Sequence, residues 1–319
     1  MALGLVLLIS PEVGQKLAER QGALVLGAFF ILLPTPIPVN LLWSFVGLIV
    51  IYSICFVIAF RSHGGFLGNL RALLQGSKPP RIPNWLVVMP LLSSSLLLVV
   101  IIITSLQDQL GVPTGSLPRR EPYIMLYTLT YSPILEEVMF RISTLGLLVS
   151  LRVLWSGTWT IRLVPLSFLS PERAKAMAGL PRIFEKGWRG LHWTEWLLLA
   201  ITSLVFGLAH LLAGGGWQVG KVVTATISGL ALGISFLTYG AYAPILLHWF
   251  FNFYFETFVL GADLLDGAFQ TIGEIVSLVT LTLGILGLAL AVVRLIFRKT
   301  SQEEAPMAYM KAEPPSSTI

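Results

Sequence analysis

Cysteine is nearly absent. The chain has 319 residues and one cysteine, Cys55, inside an apolar run. That excludes an internal disulfide and a cysteine metal cluster. Charge is scarce as well: 12% of the residues are Asp, Glu, Lys or Arg, against about 25% in soluble domains. With 55% hydrophobic residues, an ordinary soluble domain is excluded and a polytopic membrane protein is expected. No HExxH zinc motif occurs. The glycine run before Trp217 ("GGGW") has no Lys-Ser or Lys-Thr after it, so it is no phosphate loop. The opening "MALGLVLLIS" lacks a basic n-region and a clear cleavage site, and is not read as a signal peptide. The net charge of +5 does not point to nucleic acid. Its basic residues sit in short loops between apolar spans, where they set topology.

A membrane-spanning helix takes about 20 mostly apolar residues. Residues 40–60, 85–106, 123–150, 196–213, 219–238, 242–260 and 275–297 each offer one. An eighth needs the short stretch 22–33 to extend back into the amphipathic "PEVGQKLAERQ", because "PTPIPVN" breaks it from the next span. Segments 61–83 and 151–195 and the start of the tail are basic, whereas 261–274 is acidic. Eight alternating helices put all the basic segments on the cytoplasmic side. The expected fold is therefore an all-α, polytopic transmembrane helical bundle of eight spans, with both termini cytoplasmic. Its parts are an N-terminal amphipathic segment with the first span (1–39), spans outside the motif core (40–122), a membrane core (123–260), a last span (261–299) and a disordered tail (300–319). The Trp- and Arg-rich loop 151–195 is read as partly interfacial.

The chemistry lies inside the spans. "YSPILEEVMFRIS" places Glu136, Glu137 and Arg141 in an apolar helix. Each ionisable group at membrane depth costs at least about 2.5–3.5 kcal/mol, so the three must face protein or water. Glu137 and Arg141 are four apart and can pair on one face. Glu136 is turned about 100° from Glu137 and is left for another task. "FGLAH" puts Phe206 and His210 on one face of a second helix, and "HWFFN" puts His248 and Asn252 on one face of a third. A carboxylate, two imidazoles and a carboxamide could activate water and hold an oxyanion. Two histidines and a glutamate could also hold zinc, but the histidines stand on different helices. The reading takes no cofactor, with zinc as its alternative.

"EEVMFR", "FGLAH" and "HWFFN", in that order, resemble the EExxxR, FxxxH and HxxxN motifs of the CPBP family of intramembrane proteases, which includes the type II CAAX endoproteases. The resemblance covers residues 123–258. It implies a multi-helix, glutamate-dependent endopeptidase in which Glu136 activates water, Glu137 and Arg141 support it, His210 orients the water, His248 and Asn252 hold the oxyanion, and Phe206 lines the cavity. It also implies a membrane-associated peptide or a lipidated, prenylated protein C-terminus as substrate. Prokaryotic relatives are linked to bacteriocin maturation or self-immunity. The membrane would be the cell membrane of a prokaryote or the endoplasmic reticulum of a eukaryote.

Plainer readings stand beside these. The charge cluster could only glue helices together, and the histidines and Asn252 could be packing or interhelical hydrogen-bond partners. A catalytically silent immunity or binding protein and a proton-coupled transporter are the rival functions. His63 and His192 receive no role, Glu195 marks a cytoplasmic helix end, Glu256 ranks below the named residues, and Lys221 is expected to snorkel toward water.

Overall fold

The computed structural model describes residues 10–77, 82–158, 160–213, 215–254, 256–264 and 267–310. Helix α1 (Pro11–Ala18) leads into an antiparallel hairpin of β1 (Gln21–Ala28) and β2 (Ile31–Asn40). Then come α2 (Leu41–Arg61), α3 (Phe66–Leu74), α4 (Trp85–Gln109) and α5 (Pro122–Glu137). A π-turn, Val138–Ile142, carries α5 into α6 (Ser143–Trp155) without a break. Short helices α7 (Leu163–Leu169), α8 (Pro171–Met177) and α9 (Ile183–Lys186) occupy the next loop. The chain ends with α10 (Trp193–Leu212), α11 (Val219–Tyr239), α12 (Tyr242–Phe253), α13 (Glu256–Leu264) and α14 (Ala268–Met310). Among the described residues, six helices are long and apolar enough to cross a membrane, counting α5 to α6 as one. Helices α12 and α13, bent by 51°, make a seventh if taken together. Exposed Trp43, Val50, Ile54 and Val57 on α2, and Leu278 and Ile285 on α14, form an apolar exterior suited to lipid.

The expected first span is not helical. Residues 21–40 form the hairpin instead, so the fold is helical with one β-element rather than all-α. Pro34, Pro36 and Pro38 would break a helix. In a ladder, proline fits only where its missing N–H would face away from the partner strand, as Pro34 and Pro38 do opposite Val25 and Ala23. The turn residues Phe29 and Phe30 have φ of 49° and 67°, the left-handed pair of a type I′ turn. Bulky residues rarely adopt this region. Tertiary contacts hold them there: the Phe29 N–H donates to Ser143 Oγ at 2.9 Å, and the Phe30 ring meets Phe140 edge-on at 5.4 Å. Residues 300–310 of the expected tail continue α14, through the helix formers Gln302 to Ala305. Residues 311–319 lie outside the described residues.

Helix ends sort into two faces. On one, Ser62 Oγ lies 3.0 Å from Tyr242 Oη, Asn84 Nδ2 donates to Ser62 O at 2.7 Å, and Ala241 N–H donates to Leu169 O at 2.9 Å. This face carries the 151–195 loop, which a buried cluster fastens to α10: Glu195 lies 2.9 Å from Arg152 and 3.0 Å from Lys175. Glu195 is also the partner of His192 in the capping box that starts α10. On the opposite face, Arg20 lies 3.5 Å from Glu121 and donates to the Tyr123 hydroxyl at 3.0 Å. Gly220 N–H donates to Pro113 O and Gln218 N–H to Thr114 O, both at 2.9 Å. Helix α1 thus shares a face with the 110–121 loop. The eight-span reading put these two on opposite sides, and it fails because the hairpin returns the chain to the face it left.

Candidate active site

Two irregularities bracket the glutamates. Pro133, inside α5, supplies no N–H to the helix ladder, and the π-turn begins directly after Glu137. Single π-turns inside α-helices frequently mark functional sites. Glu137 has no solvent exposure. Its Oε1 accepts from Arg141 Nη1 at 3.0 Å and lies 2.7 Å from His248 Nδ1. Arg141, equally buried, lies over the Phe206 ring at 4.2 Å and reaches Gly229 O at 3.4 Å. Glu137 therefore joins α5 to α12 as well as pairing along its own helix. A ring N–H donated from Nδ1 to this carboxylate turns His248 Nε2 toward Glu136, whose Oε2 lies 3.6 Å away. The side chain of Glu136 is 24% exposed, so the neighbouring carboxylates occupy different environments.

Phe206 sits at the centre. Its ring is edge-on to His210 at 4.7 Å, His248 at 5.6 Å and Phe140 at 5.2 Å. His210 Nδ1 lies 2.8 Å from Phe206 O; with a proton on Nδ1 donated there, Nε2 is free to accept. Asn252 Nδ2 donates to Ser132 Oγ at 2.9 Å, one turn before Glu136. Six of the seven residues expected from the sequence thus form one contact network across α5, the π-turn, α10 and α12, and Asn252 reaches α5 through Ser132, one turn from Glu136. Helices α10 and α11 pack closely behind them. A side chain on Gly229 would come within 3.1 Å of the Ser203 backbone, and one on Gly207 within 2.5 Å of Val222 O. Small residues permit such approach between membrane helices.

Sequence reasoning missed Ser132 and read Lys221 and the hairpin stretch differently. Ser132 partners Asn252, and its signal was its position four residues before Glu136. Lys221 does not extend freely into water: it is half-buried, with Nζ over the Trp217 ring at 3.9 Å. The hairpin flanks α5, where the Tyr131 hydroxyl donates to Val25 O at 2.6 Å. His63 lies away from this cluster, on the face of the 151–195 loop, stacked on Phe184 at 5.1 Å. Among the described residues, no group of three or more His, Cys, Asp or Glu is placed to hold a metal ion.

Neither a curated protein nor a solved structure matches the chain at significance. Residues 118–254 match the model of a protein family described as type II CAAX prenyl endopeptidase, Rce1-like. That span runs from just before α5 to the end of α12 and contains each of the seven residues. The membrane core of this chain is thus similar to the Rce1-like type II CAAX prenyl endopeptidases.

Proposed function

We propose that the chain is an intramembrane endopeptidase that cleaves a peptide bond with Glu136 as its base. The observation that carries this is the division of labour between adjacent carboxylates. Glu137 is sealed and doubly bonded, while Glu136 is partly open and faces His248. Environments that separate two like groups are how sites assign an acid and a base. Glu136 takes a proton from water, and the hydroxide adds to the substrate carbonyl carbon. The oxyanion so formed accepts hydrogen bonds from Asn252 and from His248 Nε2 in its doubly protonated form. His210 Nε2 accepts from the attacking water and aims it. Collapse breaks the C–N bond, and the proton held on Glu136 passes to the leaving amine. Phe206 supplies the wall that keeps these polar groups in register.

The substrate is a membrane-associated peptide or a lipidated protein end, and no resident metal takes part. Glu136→Gln and His210→Ala are each expected to abolish hydrolysis of a membrane-presented peptide while the protein folds normally. Loss of one general base typically costs about 100-fold or more. Near-normal turnover by purified Glu136→Gln would sink the assignment. Unchanged cell phenotypes for that variant would point to a silent binding protein, and loss of proton-coupled uptake to a transporter. Treatment with a chelator should leave turnover intact; loss that zinc restores would favour the metal route.

A further inference from the structure

A cavity of about 500 Å³ lies beyond the end of α2, apart from the glutamates. Its walls include His63 and Gly64 from the turn after α2, Gly68 and Ala72 from α3, and Phe184 from α9. Both sides are held in place. His63, Gly64 and Gly65 have φ of 53°, 79° and 73°, a left-handed run that a histidine rarely joins. The Asn69 side chain fixes it: Nδ2 donates to His63 O and to Gly65 O, both at 2.8 Å, and Oδ1 accepts from the Asn84 N–H at 2.9 Å. Across the cavity, the Phe184 N–H donates to Glu172 Oε1 at 3.0 Å, and the Phe184 ring stacks on His63. Small residues keep the space open. Gly68 and Ala72 are four apart on one face of α3, and a Cβ on Gly68 would meet nothing within 4 Å.

The surroundings carry uncompensated positive charge. Arg61 ends α2, Arg71 directly precedes Ala72, and Arg173 on α8 is close enough for its charge to act on the His63 imidazole. Among the described residues, none of these three arginines has a carboxylate partner. Residues 61–77 contain no Asp or Glu at all. The outer side of α3 is apolar: Leu67 and Leu74 are 63% and 78% exposed, on the same stripe as Arg71. Two leucines flanking an arginine suit a helix lying at the lipid surface, with the guanidinium reaching the headgroups.

We propose that this cavity binds an anionic membrane phospholipid. The phosphate sits among His63, Arg71 and Arg173, as basic pockets of membrane proteins hold lipid headgroups. His63 Nδ1 lies 3.5 Å from the Tyr242 hydroxyl, which leaves Nε2 for the phosphate. One acyl chain occupies the space that Gly68 and Ala72 leave beside Phe184. Inorganic phosphate carries the same kind of charge but has nothing to offer the apolar walls. A bound lipid ties α3 to α9, and so fastens the 151–195 loop to the end of α2. The site is separate from Glu136 and does not depend on the peptidase reading.

Binding can be read without any turnover. The full chain, purified in detergent, should take up dioctanoyl phosphatidylglycerol saturably, seen as a discrete adduct by native mass spectrometry. Its melting temperature should rise with that lipid, because a ligand of the folded state stabilises it. Dioctanoyl phosphatidylcholine and inorganic phosphate should produce neither effect. Gly68→Leu fills the cavity with a better helix former, so it should fold as well as wild type and lose the adduct; Ala72→Leu is a second occluding variant. Arg71→Gln combined with Arg173→Gln should weaken binding about 10-fold or more, since both charge-assisted contacts are lost. Undiminished binding by folded Gly68→Leu or Ala72→Leu overturns the proposal, as does an equal response to phosphatidylcholine. A melting shift with inorganic phosphate as large as with the anionic lipid overturns the choice of a lipid as the ligand.

Discussion

At the scale of residues, Glu137 holds the site together. Its Oε1 pairs with Arg141 on its own helix and with His248 on α12, and all of this happens without solvent. Arg141→Ala strands a carboxylate in the interior, and breaking a buried pair costs about 3–5 kcal/mol. Folded yield and thermal stability in detergent should fall accordingly. Removing both charges, as Glu137→Gln with Arg141→Met, should restore much of the folded yield, because replacing a buried pair by apolar groups is often neutral. Hydrolysis should not return, since His248 would have lost the carboxylate that orients it. Normal stability of Arg141→Ala, or an active double variant, would remove this account. The Glu137–Arg141 pair was legible in the sequence because helical periodicity fixes contacts four residues apart. The bond to His248 spans 111 positions, and Asn252 to Ser132 spans 120; no local rule reaches that far.

At the scale of elements, most of the helices could be read in advance, because an apolar run of the right length has few alternatives in lipid. The hairpin could not. Its residues are as apolar as a short span, and hydropathy does not distinguish a strand from a helix over so few positions. The distinguishing sign was proline at alternate positions, which is a strand pattern because strand faces alternate every residue. The prolines also solve a problem that the hairpin creates. An open strand edge presents unpaired N–H groups, which are costly in lipid and invite pairing with another chain. At Pro34 and Pro38 the outward donor does not exist. Replacing Pro34, Pro36 and Pro38 by threonine should therefore raise the dimeric and aggregated fraction, seen by cross-linking in membranes and by size exclusion in detergent. A monomer fraction equal to wild type would show that the edge is protected in some other way.

At the scale of the whole molecule, acid acts on the face that carries the 151–195 loop. His63 sits in the turn after α2, stacked on Phe184 and edge-on to Tyr239 at 5.2 Å, so it ties together α9 and the end of α11. Burial, and then the charge of Arg173, hold its imidazole below the ordinary value of 6.5. Between that value and the lower folded one, the unfolded chain binds more protons. Stability from this contact is complete above pH 6.5 and declines as pH falls through the folded value. Melting temperature should drop on acidification from neutral toward pH 5, a range set by the histidine midpoint of about 6.5. His63→Gln should flatten that part of the profile, and an unchanged slope would acquit the residue. Across the same molecule, the π-turn joins two bodies. Upstream, α5 lies against the hairpin and α2; downstream, α6 packs on α7 and α8 and so carries the 151–195 platform. A helix advances about 100° per residue, so the extra residue absorbed in the π-turn shifts which side chains of α6 face their neighbours relative to an unbroken α-helix. The extra backbone unit thus acts as a phase setting between the half that holds the chemistry and the half that carries the 151–195 loop.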